Sequence, residues 1–324
     1  MRMFKAIAAA ALIGSFGTAA VAEDVIEAVH FTPTQVGFAQ SFLKFVDRVN
    51  ERGKGVVQIN VRGGPEVVPN PQLGTAQQSG LIDMMNAPAG LYLEIVPEGE
   101  VFSASAIKPW EARENGGWDA IDKIYQEKGN AKLLAHVDAG AGFWLWTVDE
   151  PKLTEDGLLD FSKLVIRASP LYKQFFESLG AQMIVQPAGD VYTSLERGVI
   201  NANAYPSIGY KAFGWDKFTR YRVEPGFFHL DVLISMNLDK WNSLSDESRK
   251  ILNEVAIEYE RESYDAIAKE DEESRAAMEA EGMKVVEMTG AGRDKFLAEA
   301  AKASWDRMKD RDPTHVEELR KLFP

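Results

Sequence analysis

Apolar and polar positions along the first sixty residues change period twice. Val25 to Phe31 is a short apolar-rich run that reads as a strand. Phe38, Phe42, Phe45, Val46 and Val49 then recur at the spacing of an amphipathic helix, and Val56 to Val61 reads as a second strand. Strand, helix and strand in that order predict a βαβ opening and an α/β fold whose sheet is covered on both faces. Sheets of this kind bind ligands at the carboxyl ends of their strands.

Two distant segments share one pattern. "AQQSGLIDMMNAPAG" (76–90) and "SLERGVINANAYPSIG" (194–209) each end a helix on glycine, run through a short apolar strand and leave it in a loop holding proline and glycine. Gly80 and Gly198 suit the left-handed position after a helix, where a β-carbon would clash. Such punctuation is common to α/β chains; it is also what two similar lobes would show, each offering a strand-end loop to a shared cleft. On the second reading Asn86, Asn203 and Tyr205 are candidate ligand contacts.

Between these segments an arginine stands where a strand should end. Leu164-Val165-Ile166 reads as a short buried strand, and Arg167 leaves it. Ser169 is a good N-cap and Pro170 fits a first helical turn, so a helix is expected through Phe175 and Phe176 to Gly180. A strand from Met183 to Val185 follows, then the turn Pro187-Ala188-Gly189 and a helix from Asp190 through Leu195. From the residues alone, Arg167 is a ligand clamp, a surface charge or an ion-pair partner within its own lobe.

Farther on, Asp246 to Glu281 reads as one helix capped by Ser245, about 54 Å long at 1.5 Å per residue and so longer than one lobe. Leu252, Val255, Ala256, Tyr259, Ser263, Ala266 and Ile267 form an apolar-side stripe. It breaks at "KEDEE" (269–273) and resumes at Ala277 and Met278. That interruption predicts a helix crossing between two cores.

Composition narrows the class. Arg2 and Lys5, the apolar stretch Ala6 to Gly17 and Ala20-Val21-Ala22 have the order of a secretory signal, so residues 1–22 are expected to be removed. There are no cysteines, which excludes disulfides, thiolate metal sites and cysteine nucleophiles. Without Arg2 and Lys5, 34 basic residues face 49 acidic ones, a charge near −15 that repels phosphate backbones, so nucleic acid is not an expected partner. His30, His136, His229 and His315 show no metal-ligand spacing. The motifs G-x-S-x-G, H-E-x-x-H and G-x-x-x-x-G-K-[ST] are absent, leaving the alternative of a secreted enzyme without a motif.

The run "IRASPLYKQFFESLGAQMIVQPAGDVYTSLERGVINANAYP", the later "EPGFFHLDVLISMNLDKWNSLSDESRKIL" and the early "AQQSGLIDMMNAP" resemble the DctP-type periplasmic solute-binding proteins of tripartite ATP-independent periplasmic (TRAP) transporters. The resemblance covers nearly the whole chain after residue 22. It implies two α/β lobes with a ligand cleft between them and a long helix spanning both, lobe I comprising 23–138 and 232–262 and lobe II 139–231 and 263–324. It also implies that Arg167 clamps a ligand carboxylate. A guanidinium suits that role: it is a planar fork of donors, charged at any relevant pH.

Departures from the family pattern matter too. Where many relatives carry a basic residue shortly after the glycine of "DAGAGFWLWT", this chain has Phe143, Trp144 and Trp146, so a second cationic clamp is not expected. Ala204-Tyr205-Pro206 lacks the glutamate common before the cleft proline, so no metal and no cofactor are expected. Phe143, Trp146, Tyr205, Trp215 and Phe228 fall in or beside segments that line the cleft in the resembled family, as does the neighbourhood of His229; core packing is the other reading of each aromatic. The expectation is a monomeric periplasmic protein that captures a small organic acid and delivers it to the membrane subunits of a TRAP transporter. A periplasmic sensor domain presenting the same ligand to a receptor is the alternative.

Overall fold

Eleven strands form two sheets in this computed structural model, which describes residues 23–324; the expected signal peptide lies outside the described residues. The first sheet holds β1 (Asp24–His30), β2 (Val57–Gly63), β3 (Met84–Pro88), β4 (Ala131–His136) and β10 (Val232–Asn237), in the order β2-β1-β3-β10-β4. The second holds β5 (Gly142–Thr147), β6 (Val165–Ala168), β7 (Gln182–Val185), β8 (Ala202–Tyr205), β9 (Tyr221–His229) and β11 (Lys284–Glu287), in the order β11-β9-β5-β8-β6-β7. Each sheet is the centre of one lobe, called I and II here.

The opening βαβ unit forms as its pattern predicts. β1 and β2 pair in parallel from Asp24↔Val57. Helix Gly37–Arg52 joins them, and its stripe of Phe38, Phe42 and Phe45 is at most 2% exposed. Each such burial contributes roughly 1.5–3 kcal/mol. The sheets are mixed rather than parallel throughout, because the chain re-enters lobe I as β10, antiparallel to β3 and β4, and β5 runs antiparallel to β8 and β9.

Four chain segments pass between the lobes, the last of them the C-terminal stretch after β11. Residues 137–141 lead from β4 to β5, Leu230 and Asp231 lead from β9 to β10, and the long helix Asp246–Ala280 runs alongside. The two strand crossings bond to each other, Val137 N to Val232 O at 2.9 Å and Leu230 N to Ala141 O at 3.1 Å, so they form one paired ribbon. The long helix lies against that ribbon closely enough to require a glycine: a β-carbon on Gly140 would stand 2.2 Å from the Tyr264 carbonyl oxygen.

Ser245 caps the long helix by accepting from Ser248 N at 3.1 Å. Its stripe differs in three places from the expected one, the first being that Ala277 is exposed while Met278 is buried. Ala266 also faces solvent, and inside the acidic run Asp271 is buried. Asp271 accepts from Ser207 Oγ at 2.5 Å, Trp144 Nε1 at 3.3 Å and Arg275 Nε at 2.9 Å, so the break in apolar pattern is a buried polar junction with lobe II. Buried carboxylates persist where their oxygens are satisfied.

The expected division put all of 263–324 in lobe II, and the C-terminal stretch departs from it. Helix Gly290–Arg311 touches β9 but is pinned to lobe I by Arg307, whose Nε and NH2 donate to Glu100 at 2.8 and 2.7 Å. Ser105 Oγ donates to the Pro324 carbonyl at 2.8 Å, and helix Val316–Leu322 lies on helix Gly117–Gly129 of lobe I. A buried Glu100 demands a cation, and the sequence supplies it 207 residues later.

Candidate functional site

β6 and β8 lie side by side, Arg167 in register with Asn203, and β5 places Trp146 opposite the same asparagine. Cross-strand partners project to the same face. Arg167, Asn203 and Tyr205 therefore share one face at the carboxyl ends of two parallel strands, where an α/β sheet opens.

Arg167 is 6% exposed. Its Nε donates to the Gln186 carbonyl at 3.0 Å and its NH1 to the Tyr172 hydroxyl at 2.9 Å; that hydroxyl in turn donates to the Ala204 carbonyl at 2.5 Å. The Tyr205 ring lies 5.7 Å from the guanidinium carbon. Among the described residues no carboxylate stands within ion-pairing distance of Arg167. Neutral acceptors take Nε and NH1, and NH2 is left without a partner on the chain. An unpaired buried charge is costly, so this arrangement calls for an anion from outside.

Tyr172 was not among the residues singled out from sequence. The helix after Arg167 begins at Lys173 rather than at Pro170, with no side-chain cap from Ser169. Residues 169–172 form a turn instead, closed by Tyr172 N to Ser169 O at 3.4 Å, and this turn carries the Tyr172 ring beneath the sheet, where its hydroxyl meets Arg167. Asp190 precedes helix Val191–Glu196 as expected but gives it no side-chain cap.

Two amides complete the picture. Asn203 and Asn86 are both 0% exposed, and neither the amide nitrogen nor the oxygen of either one has a hydrogen-bond partner among the described residues. The Tyr210 hydroxyl approaches Asn203 but pairs with Thr219 at 3.2 Å. Asn203 belongs to lobe II on β8; Asn86 belongs to lobe I on β3, in register with His30 and Ile234. Buried amides normally find partners, so each is a free donor and acceptor.

The other predicted residues lie elsewhere. Trp146 and Trp215 are 0% exposed in a core with Tyr210; Trp146 Nε1 donates to the Tyr205 carbonyl at 2.9 Å, and Trp215 meets the Tyr205 ring edge-on at 4.9 Å. They brace Tyr205 from behind. Phe143 faces the opposite side of the sheet, against Tyr172 and Phe227. Phe228 and His229 border a cavity on the far side of the crossing ribbon, which Arg167 does not reach. Phe228 takes φ 49°, a costly backbone for an aromatic residue, at the start of the crossing to β10.

At the mouth of the Arg167 site the lobes touch. A β-carbon on Gly90 of lobe I would stand 3.3 Å from Leu171 of lobe II, and one on Gly209 of lobe II 3.1 Å from Val36 of lobe I. Among the described residues no group of His, Asp or Glu has the arrangement of a metal site, and no helix is long and apolar enough to cross a membrane.

The chain is 28% identical over 225 residues to a monocarboxylate 2-oxoacid-binding periplasmic protein of Nostoc; the match covers 65% of this chain and 59% of that one. Its fold matches a TRAP periplasmic solute-binding protein of Desulfovibrio desulfuricans with bound sn-glycerol-3-phosphate, with a TM-score of 0.80, 18% identity and coverage of 92% and 96%. It also matches one of Chromohalobacter salexigens with bound D-glucuronate, with a TM-score of 0.77, 22% identity and coverage of 92% and 97%. Residues 28–312 match the DctP model, described as bacterial extracellular solute-binding protein, family 7, and the chain belongs to that family.

Proposed function

We propose that this protein captures a small monocarboxylate in the cleft between its lobes, in the periplasm, and hands it to the membrane subunits of a TRAP transporter. The observation that carries the reading is Arg167, a buried cation without a carboxylate of its own. A ligand carboxylate would complete the fork opposite Gln186 and Tyr172, with charge-assisted bonds of about 1.5–3 kcal/mol each. One uncompensated cation balances one negative charge, which favours a monoacid over a multiply charged ligand. The Nostoc relative is named for monocarboxylate 2-oxoacids.

Asn86 and Asn203 would meet a keto or hydroxyl oxygen from opposite lobes, so the full set of contacts forms only when the cleft closes. No step of chemistry is required: the site offers a clamp and two amides. Residues 23–138 with 232–262, and 139–231 with 263–289, would move as the two bodies, the ribbon and long helix serving as pivot.

A thermal-shift screen of the protein lacking residues 1–22 tests this. A ligand at 100 times its Kd stabilises by about 2.7 kcal/mol. Two-oxo and two-hydroxy monoacids are expected to raise the melting temperature above the values with dicarboxylates and neutral sugars. A shift with neutral sugars or amines and none with acids would overturn the reading.

A further inference from the structure

A second cavity, of about 540 Å³, lies behind the hinge. The topology separates it from the Arg167 site. Asn86, Arg167 and Asn203 sit on β3, β6 and β8, to one side of the crossing ribbon, whereas this cavity opens at the ends of β4 and β9, on the other side. Both lobes wall it. Ile107 comes from lobe I, Trp144, Phe228 and His229 from lobe II, Tyr264 from the long helix and Leu297 from helix Gly290–Arg311.

Its electrostatics differ from those of the cleft, since the arginines that stack on its Trp144 and Phe228 rings are all ion-paired. Arg222 pairs with Glu224 at 3.0 Å and Glu279 at 2.8 Å, Arg275 with Asp271 at 2.9 Å, and Arg307 with Glu100 at 2.7 Å. No lysine or arginine lines the cavity and the Asp271 carboxylate does, so an acid is disfavoured there. Among its polar lining groups, the Tyr264 hydroxyl and the His229 imidazole make no hydrogen bond among the described residues, and His136 bonds only through Nε2. Burial pushes the His229 pKa down, which keeps that ring neutral near pH 7. A mostly apolar cavity with a few convergent polar groups, within the roughly 300–1,000 Å³ of known ligand pockets, is the usual form of a small-molecule site.

We propose that this cavity is a second binding site, for an uncharged ring-bearing compound whose polar group meets His229 and Tyr264 while its ring lies among Ile107, Phe228 and Leu297. The pivot lies between the two sites, so a rotation that opens the cleft narrows the rear cavity. An occupant there holds the lobes in the closed arrangement and is coupled reciprocally to the acid in front.

Benzyl alcohol is a suitable probe, with benzoate as its charged counterpart. Titrated into the protein lacking residues 1–22 and followed by saturation-transfer NMR, benzyl alcohol is expected to bind saturably to the wild type and to Arg167→Ala alike. Binding should weaken at least tenfold in Ala301→Trp and Ala106→Trp, which fill the cavity from exposed lining positions on two different segments, and in His229→Ala. Benzoate should not compete at this site. The radius of gyration should fall when benzyl alcohol saturates the protein. Absent or non-saturable binding, binding untouched by both filling variants, or binding lost with Arg167→Ala would overturn the site. Saturable binding with an unchanged radius would overturn its coupling to closure.

Discussion

Arg167 and Arg307 are both long cations buried to within 6% of complete exclusion from solvent, yet their surroundings differ in kind. Arg307 faces a carboxylate: Glu100, itself 0% exposed, takes the fork at both oxygens, and Ser304 Oγ accepts from NH2 at 3.1 Å. Arg167 faces carbonyls, a hydroxyl and a ring. The first arrangement is neutralised, although NH1 finds no hydrogen-bond partner among the described residues, and it ties the C-terminal helix to lobe I. The second is short of one anion. Burial alone does not mark a binding residue; burial of a charge whose partner the chain does not supply does.

That comparison can be broken at either end. Arg307→Ala should have the largest effect on folding, since it strands Glu100, whose carboxyl burial already pushes above its ordinary pKa despite the arginine. A loss of about 3–5 kcal/mol in chemical denaturation is expected, with acid affinity of the remaining folded protein unchanged. A small loss would mean that the brace is dispensable.

A pH series sharpens the contrast between charges that are matched and charges that are not. Asp138 and Asp231, one on each strand crossing, are buried, and desolvation raises both pKa values from 3.8 to about 7. Asp138 Oδ1 accepts from Ser41 Oγ at 2.7 Å, with Lys44, Tyr259 and Glu270 nearby; Asp231 Oδ2 accepts from Gly90 N at 2.6 Å, with Glu100 and Arg307 nearby. Raised folded-state values mean that the folded protein holds extra protons between about pH 4 and 7, so this contribution is present at pH 4 and lost as pH rises through 7. Asp138→Asn, which keeps the acceptor for Ser41, should be about 1–3 kcal/mol more stable than wild type at pH 8 and nearly equal to it at pH 4. Equal stability at pH 8 would show that Asp138 ionises freely.

Tyr172→Phe is the mildest change. It removes the acceptor that holds Arg167 NH1 and should cost about 0.5–1.5 kcal/mol of acid affinity, less than losing the arginine itself. Isothermal titration would read it directly. An affinity equal to wild type would mean that Gln186 alone orients the guanidinium.

How much of this was legible follows from the range of the interactions. The βαβ opening, the Ser245 cap and the left-handed glycines Gly80 and Gly198, at φ 75° and 66°, are local and were read directly. Arg167 could be placed at a strand end, but whether a carboxylate stood nearby could not be known until the chain was folded. Trp146 and Trp215 show the limit most clearly. The pattern that puts an aromatic on a cleft strand is the same one that puts it in the core: Trp146 shares a sheet face with Asn203, yet it and Trp215 are covered by Tyr210 while Tyr205 reaches Arg167. Asp271 and the Glu100–Arg307 pair were hidden for a different reason, because each is a polar residue buried by partners distant in sequence.

The claim that Arg167 waits for a ligand carboxylate is tested most directly by calorimetric titration of Arg167→Ala with the best acid from the screen, beside a circular dichroism melt. The account predicts a protein that melts close to wild type, since no charged partner is stranded, and that loses about 2–5 kcal/mol of affinity, roughly 30-fold to several thousand-fold in Kd. Arg167→Lys should restore only part, because an ammonium cannot reproduce the fork. An alanine variant that melts several degrees early and still binds the acid with near wild-type affinity would contradict it.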